Sequence, residues 1–196
     1  MAIDAATIKE LREKTGAGVM ECKKALDETG GDITKAEEVL KMLSAATATK
    51  KAERATGQGR IHSYIHGPGR IGVMVEIRCE SDFVANSEQF KELAKDICLQ
   101  VAAMNPQAIT RDDVPEDLLN FQKEQFKDDI EGKPEQIQEK ILDGKLSAFY
   151  KEIVLLEQVF IKDSKQTVED RIKEEIGVLK ENITVARITR WELGGE

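Results

Sequence analysis

Apolar residues recur at helical spacing through the first part of the chain. Residues 1–43 carry them three to four positions apart in three runs, the pattern of one buried helix face. The runs are separated by the glycines of "TGAG" (15–18) and by Gly30-Gly31, which stop helices, while Asp4 and Asp32 stand where they can cap the first and third helices. We therefore predict three short helices that form a small bundle with a thin core.

The stretch from 44 to 59 loses this pattern. Its sequence, "SAATATKKAERATGQG", is small, polar and locally basic, which is typical of a linker that can be helical in part. No aromatic residue lies among its basic side chains, so a solvated tether is favoured over a nucleic-acid contact. The predicted organisation is a small docking or structural module of residues 1–43, a basic linker of 44–59 and a core of 60–196.

The spacing changes to two after the linker. Ile61, Ser63 and Ile65 alternate with polar neighbours, "GPG" (67–69) turns the chain, and a second alternating run extends from Ile71 to Ile77. Alternation on both sides of a glycine-rich turn predicts a β-hairpin.

The remaining pattern is mainly helical and ends in a strand. Asn86, followed by Gln89, resembles a capping box for a helix that extends to about Ala103. Further on, the expected elements are a helical region at 115–131, helices at 134–150 and 167–180, a strand or buried connection at 153–161, and a final strand at 182–193. This order predicts an α+β fold, in which a three-helix bundle precedes an antiparallel sheet packed with helices.

Composition narrows the class of protein. The 196 residues are 40% hydrophobic and 34% charged, with a net charge of −8, which argues against a general nucleic-acid binder because phosphate binding needs a concentrated basic face. No apolar run approaches the ~20 residues that span a bilayer, and the N-terminal residues lack the features of a signal peptide. Cys22, Cys79 and Cys98 are scattered, so we expect reduced thiols and a cytoplasmic location.

The chemistry-bearing residues form no recognisable active site. His62 and His66 lie on a predicted strand, where their spacing separates them by about 13 Å. The carboxylate pairs Asp112-Asp113 and Asp128-Asp129 are adjacent in sequence, and neighbouring residues of a helix do not face one another. We expect no cofactor, no metal site and no enzymatic activity; an enzyme would require a pocket that gathers these carboxylates.

Four segments, in order, resemble the translation elongation factor Ts family. They are "LREKTGAGVMECKKALDETGGD", "CESDFVA", "EGKPEQIQEKILDGKLSAFYKEIVLLEQVFIKD" and "ENITVARITRWELG". The resemblance implies a guanine-nucleotide exchange factor that binds elongation factor Tu in its GDP-bound and nucleotide-free states. It also implies that the N-terminal bundle is similar to a ubiquitin-associated domain.

The resemblance further implies roles for particular residues. Arg12, Val19 and Met20 would contact the nucleotide-binding domain of the partner, with Lys51 close by. The family's Thr-Asp-Phe-Val tip corresponds here to Ser81, Asp82, Phe83 and Val84, and in the family this tip enters beside the partner's magnesium ion. Two residues of the last segment depart from the family pattern: Lys180 stands where glycine is expected and Ala186 where arginine is expected.

Two questions of partnership stay open at this point. The bundle alone would also suit a non-enzymatic module that binds another helical or ubiquitin-like partner. The last strand carries apolar residues on both faces, which indicates unusually complete coverage. Ile183, Val185 and Trp191 lie on one face, and Ala186 and Ile188 lie on the other. We therefore expect a homodimer built on this strand, the alternative being a monomer whose own helices cover both faces.

Overall fold

A computed structural model of the protein describes residues 3–127 and 132–195. Residues 128–131, which include Asp128, Asp129 and the end of the predicted helical region 115–131, lie outside the described residues. The helices are α1 Ala5–Thr15, α2 Val19–Glu28, α3 Ile33–Lys51, α4 Asp82–Ala85, α5 Glu88–Met104, α6 Glu116–Gln125, α7 Glu135–Ile153 and α8 Val168–Leu179. The strands are β1 Gln58–His66, β2 Ile71–Cys79, β3 Val159–Phe160, β4 Asp163–Thr167 and β5 Thr184–Glu192.

The fold is α+β, as predicted. β1, β2 and β5 form a three-stranded sheet in the order β1-β2-β5. The ambiguous stretch 153–161 contains a 3-10 turn, Leu155–Glu157, and then β3, which pairs antiparallel with β4. Strand β4 was not predicted because all five of its residues, "DSKQT", are polar and show no alternation with apolar residues.

The N-terminal helices form the predicted bundle, but α3 is longer than expected. Asp4 accepts a hydrogen bond from Ala6 N and Asp32 accepts one from Lys35 N, so both predicted caps are confirmed. Helix α3 continues to Lys51 because the first half of the predicted linker is rich in alanine, the best helix former. The core of the bundle consists of buried Leu11, Ala17, Cys22, Ala25, Leu26, Ala36 and Leu40.

Contacts along the described chain divide it into two compact units. The first comprises the described parts of Met1–Arg60, Ile77–Leu93 and Asp170–Thr184. The second comprises the described parts of Ile61–Glu76, Ala94–Glu169 and Val185–Glu196. The first unit therefore contains both the N-terminal bundle and the 81–84 tip, two segments that are distant in sequence.

Within the first unit, α3 and α8 cross at very short range. A Cβ atom added to Gly177 of α8 would lie 2.1 Å from Ser44 Oγ and 2.6 Å from Ser44 Cβ. An ion pair of 3.1 Å between Lys41 and Glu174 joins the same two helices. Glycine at 177 is therefore required by the close approach of the helices rather than by its backbone conformation.

Within the second unit, one face of the sheet packs on α5. Val73 and Val75 are buried, and Cys98 Sγ of α5 donates to His62 O of β1. Farther along α5, buried Gln100 donates to Gln158 Oε1 and to Val159 O and accepts from Ile161 N, so its amide is fully satisfied. Among the described residues, no helix is long and apolar enough to cross a membrane.

Candidate partner-binding site

The 81–84 tip is a short capped helix between β2 and α5. Ser81 begins α4 by accepting a hydrogen bond from Val84 N with its hydroxyl, at 3.3 Å. Asn86 ends it, because its backbone N–H and its side-chain Nδ2 both donate to Asp82 O. The next helix, α5, is capped by Ser87, whose Oγ accepts from Phe90 N. The predicted capping box at Asn86 is therefore wrong: Asn86 closes α4, and the helix cap lies one residue later.

Successive side chains of the tip point in opposite directions. Phe83 is 85% exposed, whereas Val84 is only 7% exposed and anchors the tip from below. Asp82 is also exposed. Phe90, at the start of α5, is completely buried. Phe90 is thus the aromatic plug of the core at this junction, and Phe83 is a ring presented to solvent on a fixed turn.

Glu181 supports the tip from the loop between α8 and β5. Its Oε2 accepts from Glu80 N at 3.1 Å and from Ser81 N at 2.9 Å, and its Oε1 accepts from Ser81 Oγ at 2.7 Å. The same hydroxyl of Ser81 therefore donates to Glu181 and accepts from the first turn of α4. The carboxylate holds the residues immediately before Asp82 and Phe83.

Glu80 in turn contacts the loop between α8 and β5 through its own carboxylate. Its Oε1 accepts from Asn182 N at 2.7 Å, and its Oε2 lies 3.4 Å from Arg54 Nη1. The Asn182 N–H is the largest cause of a pKa for Glu80 below its ordinary value, and the charges of Arg54 and Lys51 act in the same direction. Residues 80–81 and 181–182 are consequently joined by hydrogen bonds in both directions.

The second predicted contact set lies around the turn between α1 and α2. Met20 is 74% exposed and Val19 is 49% exposed, both in the first turn of α2. Arg12 is exposed on α1. Glu21 accepts from Gly18 N at 3.2 Å and from Lys180 Nζ at 2.7 Å. The Lys180 contact is the main reason that the pKa of Glu21 is lowered.

Lys51, the remaining predicted contact, is half-buried at the end of α3.

All the predicted site residues lie in the first compact unit. This unit has two exposed apolar features among them: Phe83 on the tip and Val19-Met20 on the bundle. The sequence analysis missed Glu80, Glu181 and Asn182. They occur inside the segments that carry the family resemblance, but a contact across about a hundred residues has no signal in a single sequence.

Two buried cysteines have raised pKa values. Burial raises the pKa of Cys79 to about 11 and that of Cys98 to about 12, so neither thiol is a ready nucleophile. Over the described residues, 3–127 and 132–195, no group of three His, Cys, Asp or Glu side chains is placed to hold a metal ion. His66 instead shares a hydrogen bond of 2.9 Å with the Tyr64 hydroxyl.

Comparison with known proteins gives a consistent result over the whole chain. A family model described as "Elongation factor TS" matches residues 5–195. A protein of Coprothermobacter proteolyticus named Elongation factor Ts is 53% identical, with 99% of this chain and 100% of the relative covered. Proteins of the same name from Solidesulfovibrio magneticus (53% identical, 98% of each chain) and Thermotoga neapolitana (50% identical, 100% of each chain) are similarly close.

Proposed function

The chain belongs to the elongation factor Ts family, and from this premise we propose that it is the guanine-nucleotide exchange factor of elongation factor Tu. In this role it acts in the cytoplasm during translation elongation and performs no covalent chemistry of its own. It binds the GTPase in its GDP-bound and nucleotide-free states and promotes the release of GDP. The observation that carries the proposal is the exposed ring of Phe83, held on a turn that Ser81 caps.

Phe83 acts on the magnesium and phosphate site of the GTPase. Bound GDP depends on its phosphate contacts and on the metal ion, which is the largest local charge in such a site. An apolar ring that enters beside the ion displaces its ligands without offering a new charge partner. Asp82, exposed beside Phe83, is placed to approach the hydrogen-bond donors of the same site.

The bundle supplies affinity, and the tip supplies the change in nucleotide binding. Met20 and Val19 form an exposed apolar patch on the first turn of α2. A partner surface that covers this patch removes its apolar area from water. Arg12 on α1 and Lys51 at the end of α3 add positive charge to the docking contact. We assign docking to residues 1–43, with 44–59 as the connection to a core of residues 60–196 that carries the tip.

A second copy of the chain covers the outer face of the sheet in this proposal. Glu76 pairs with Arg187 at 2.6 Å, and a Cβ at Gly72 would lie 3.4 Å from Ile65, so these positions share one face. That face exposes large apolar side chains at Ile61, Ile65, Met74 and Trp191. β5 is also an edge strand of the three-stranded sheet, and two-fold pairing would cover both features.

Affinity measurements test the exchange function directly. A factor that weakens GDP binding must bind the GDP-loaded GTPase more weakly than the nucleotide-free GTPase, by the same factor. We expect calorimetric titration to give an affinity roughly 5- to 150-fold higher for nucleotide-free elongation factor Tu than for its GDP complex. Equal affinities for the two states would overturn the proposal, because equal binding shifts no equilibrium.

A further inference from the structure

Three consecutive residues between α8 and β5 contact three different parts of the first unit. Lys180 reaches Glu21 of α2, and Glu181 reaches Glu80 and Ser81 before the tip. Asn182 reaches the end of α3, where its Nδ2 donates to Ala52 O at 3.2 Å and to Arg54 O at 2.9 Å. We call these residues, 180–182, the bracing turn.

The geometry of the bracing turn is specified by its backbone. Lys180 follows the last residue of α8 with a φ of 59°, and its N–H donates to Ile176 O at 2.9 Å. This left-handed conformation is the usual end of a helix with glycine at that position. It directs the next two residues toward β2 and α3. Asn182 is buried, and its amide donors are used for the two carbonyls of the α3 end.

We propose that the bracing turn positions the 81–84 tip relative to the N-terminal bundle, with Glu181 as its principal residue. This inference rests on the proposed function and deepens it. When Val19 and Met20 dock on the GTPase, Phe83 enters the nucleotide site only if the tip is held at a fixed distance and orientation from α2. Of the three residues, Glu181 makes the contacts nearest to Phe83, and three hydrogen bonds to one carboxylate form a stiff support.

Loss of Glu181 should affect the position of the tip and not the affinity for the GTPase. Glu181 does not belong to the exposed contact surface, so its loss leaves docking through α2 intact. A tip that samples several orientations enters the nucleotide site less often, and small misplacements of a reacting or wedging group have large effects on rate. The expected signature is a lower maximal exchange rate at an unchanged half-saturating concentration.

The test is stopped-flow release of a fluorescent GDP analogue from elongation factor Tu over a concentration series of the full-length factor. We expect Glu181→Gln to lower the maximal rate about tenfold, since one oxygen acceptor and the charge are lost, and to leave the half-saturating concentration within about twofold of the wild type. Glu157→Gln is the matched control, because Glu157 is also a half-buried, hydrogen-bonded carboxylate, but its partner is Arg111 in the second unit. This variant should accelerate release of the GDP analogue as much as the wild type does.

A double variant of Glu181 and Phe83 tests whether Glu181 acts by positioning Phe83. In a Phe83→Ala background, Glu181→Gln should have almost no further effect, because it acts through the ring that has been removed. An equal loss in both backgrounds, or an unchanged rate in the wild-type background, would overturn the inference. If Glu181→Gln does not fold, Ser81→Ala removes one of the three hydrogen bonds together with the cap of α4, and its effect on the rate should likewise depend on Phe83.

A measurement without the GTPase keeps this inference separate from the function on which it rests. Amide hydrogen exchange at Glu80 and Ser81 should accelerate in Glu181→Gln while the amides of α2 and α3 stay protected. Unchanged protection at both amides would refute the bracing role even if nucleotide exchange were confirmed. Failure of the wild-type factor to accelerate GDP release would instead refute the proposed function itself.

Discussion

At the residue scale, the decisive contrast is between two phenylalanines seven positions apart. Phe90 is completely buried in the first turns of α5, and Phe83 projects from α4 with most of its ring in solvent. Phe90 belongs to the apolar stripe of α5, together with Leu93 and Ile97, whereas Phe83 lies outside that stripe. Ser81 caps α4, which carries Phe83, and Ser87 caps α5, which carries Phe90, so the two rings belong to separate helices.

The two rings give a matched pair of variants. We expect Phe83→Ala to leave the free energy of unfolding within about 0.5 kcal/mol of the wild type, as for exposed sites, while GDP release from elongation factor Tu becomes at least about tenfold slower. Phe90→Ala should destabilise the fold by about 3–5 kcal/mol, because it removes a buried ring. Chemical denaturation and stopped-flow release measure the two effects. A large loss of stability in Phe83→Ala with normal exchange would contradict the assignment.

Lys180 is a second informative residue, because it occupies a backbone conformation that favours glycine. Its side chain compensates through the contact with Glu21. We expect Lys180→Gly to keep stability within about 0.5 kcal/mol of the wild type, since relief of backbone strain offsets the loss of a partly exposed ion pair.

Lys180→Ala is the control for that substitution. It loses the same ion pair and retains the strain, so thermal denaturation should place it about 1 kcal/mol below Lys180→Gly. An alanine variant at least as stable as the glycine variant would show that the conformation at 180 carries no strain.

At the element scale, the sequence predicted most helices and strands but not their long-range contacts. The periods of 3.6 and 2 identified the bundle and the hairpin because each buries one face. The polar strand β4 and the extension of α3 to Lys51 had no such signal. The residues of the candidate site were named from the family resemblance. Their support by Glu181 and Asn182 arises only when segments a hundred residues apart meet.

The crossing of α3 and α8 can be tested through its glycine. Gly177→Ala should destabilise the protein by about 1–3 kcal/mol, because the added methyl group overlaps Ser44 and the helices must separate. Gly144→Ala on α7 is the control, since a Cβ there meets no atom within 4 Å. It should be neutral or stabilising by up to about 1 kcal/mol, as expected for alanine in a helix. Urea denaturation of both variants measures this, and equal effects would mean that the helices do not approach so closely.

At the scale of the whole molecule, the open question is assembly. The sequence predicted apolar residues on both faces of the last strand, and the structure separates the two faces. Arg190 lies two residues after Ile188 and therefore on the same face of β5. Its Nε donates to Ala102 O of α5. The opposite face carries Trp191, exposed in the described chain. Ile188 thus belongs to the face packed by the protein's own helix, and the outer face is the one that a second copy would cover.

We expect the free protein to have twice the mass of a single chain in light scattering after size exclusion. Trp191→Asp and Ile65→Asp should each shift it toward the single-chain mass on dilution, because a buried charge in an apolar interface is unfavourable. Met42→Asp is the control, as Met42 is equally exposed but lies on α3 of the bundle. A single-chain mass for the wild type at every concentration would rule out the dimer.

The rate of GDP release from elongation factor Tu is the most direct measure of the proposed exchange activity. Purified elongation factor Tu loaded with a fluorescent GDP analogue is mixed with excess GDP, with and without this protein, and the loss of fluorescence is followed by stopped flow. We predict that the protein accelerates release about tenfold or more, in proportion to its concentration until saturation, and that Phe83→Ala abolishes most of this acceleration. A release rate that is the same in the presence and absence of the protein would contradict the account.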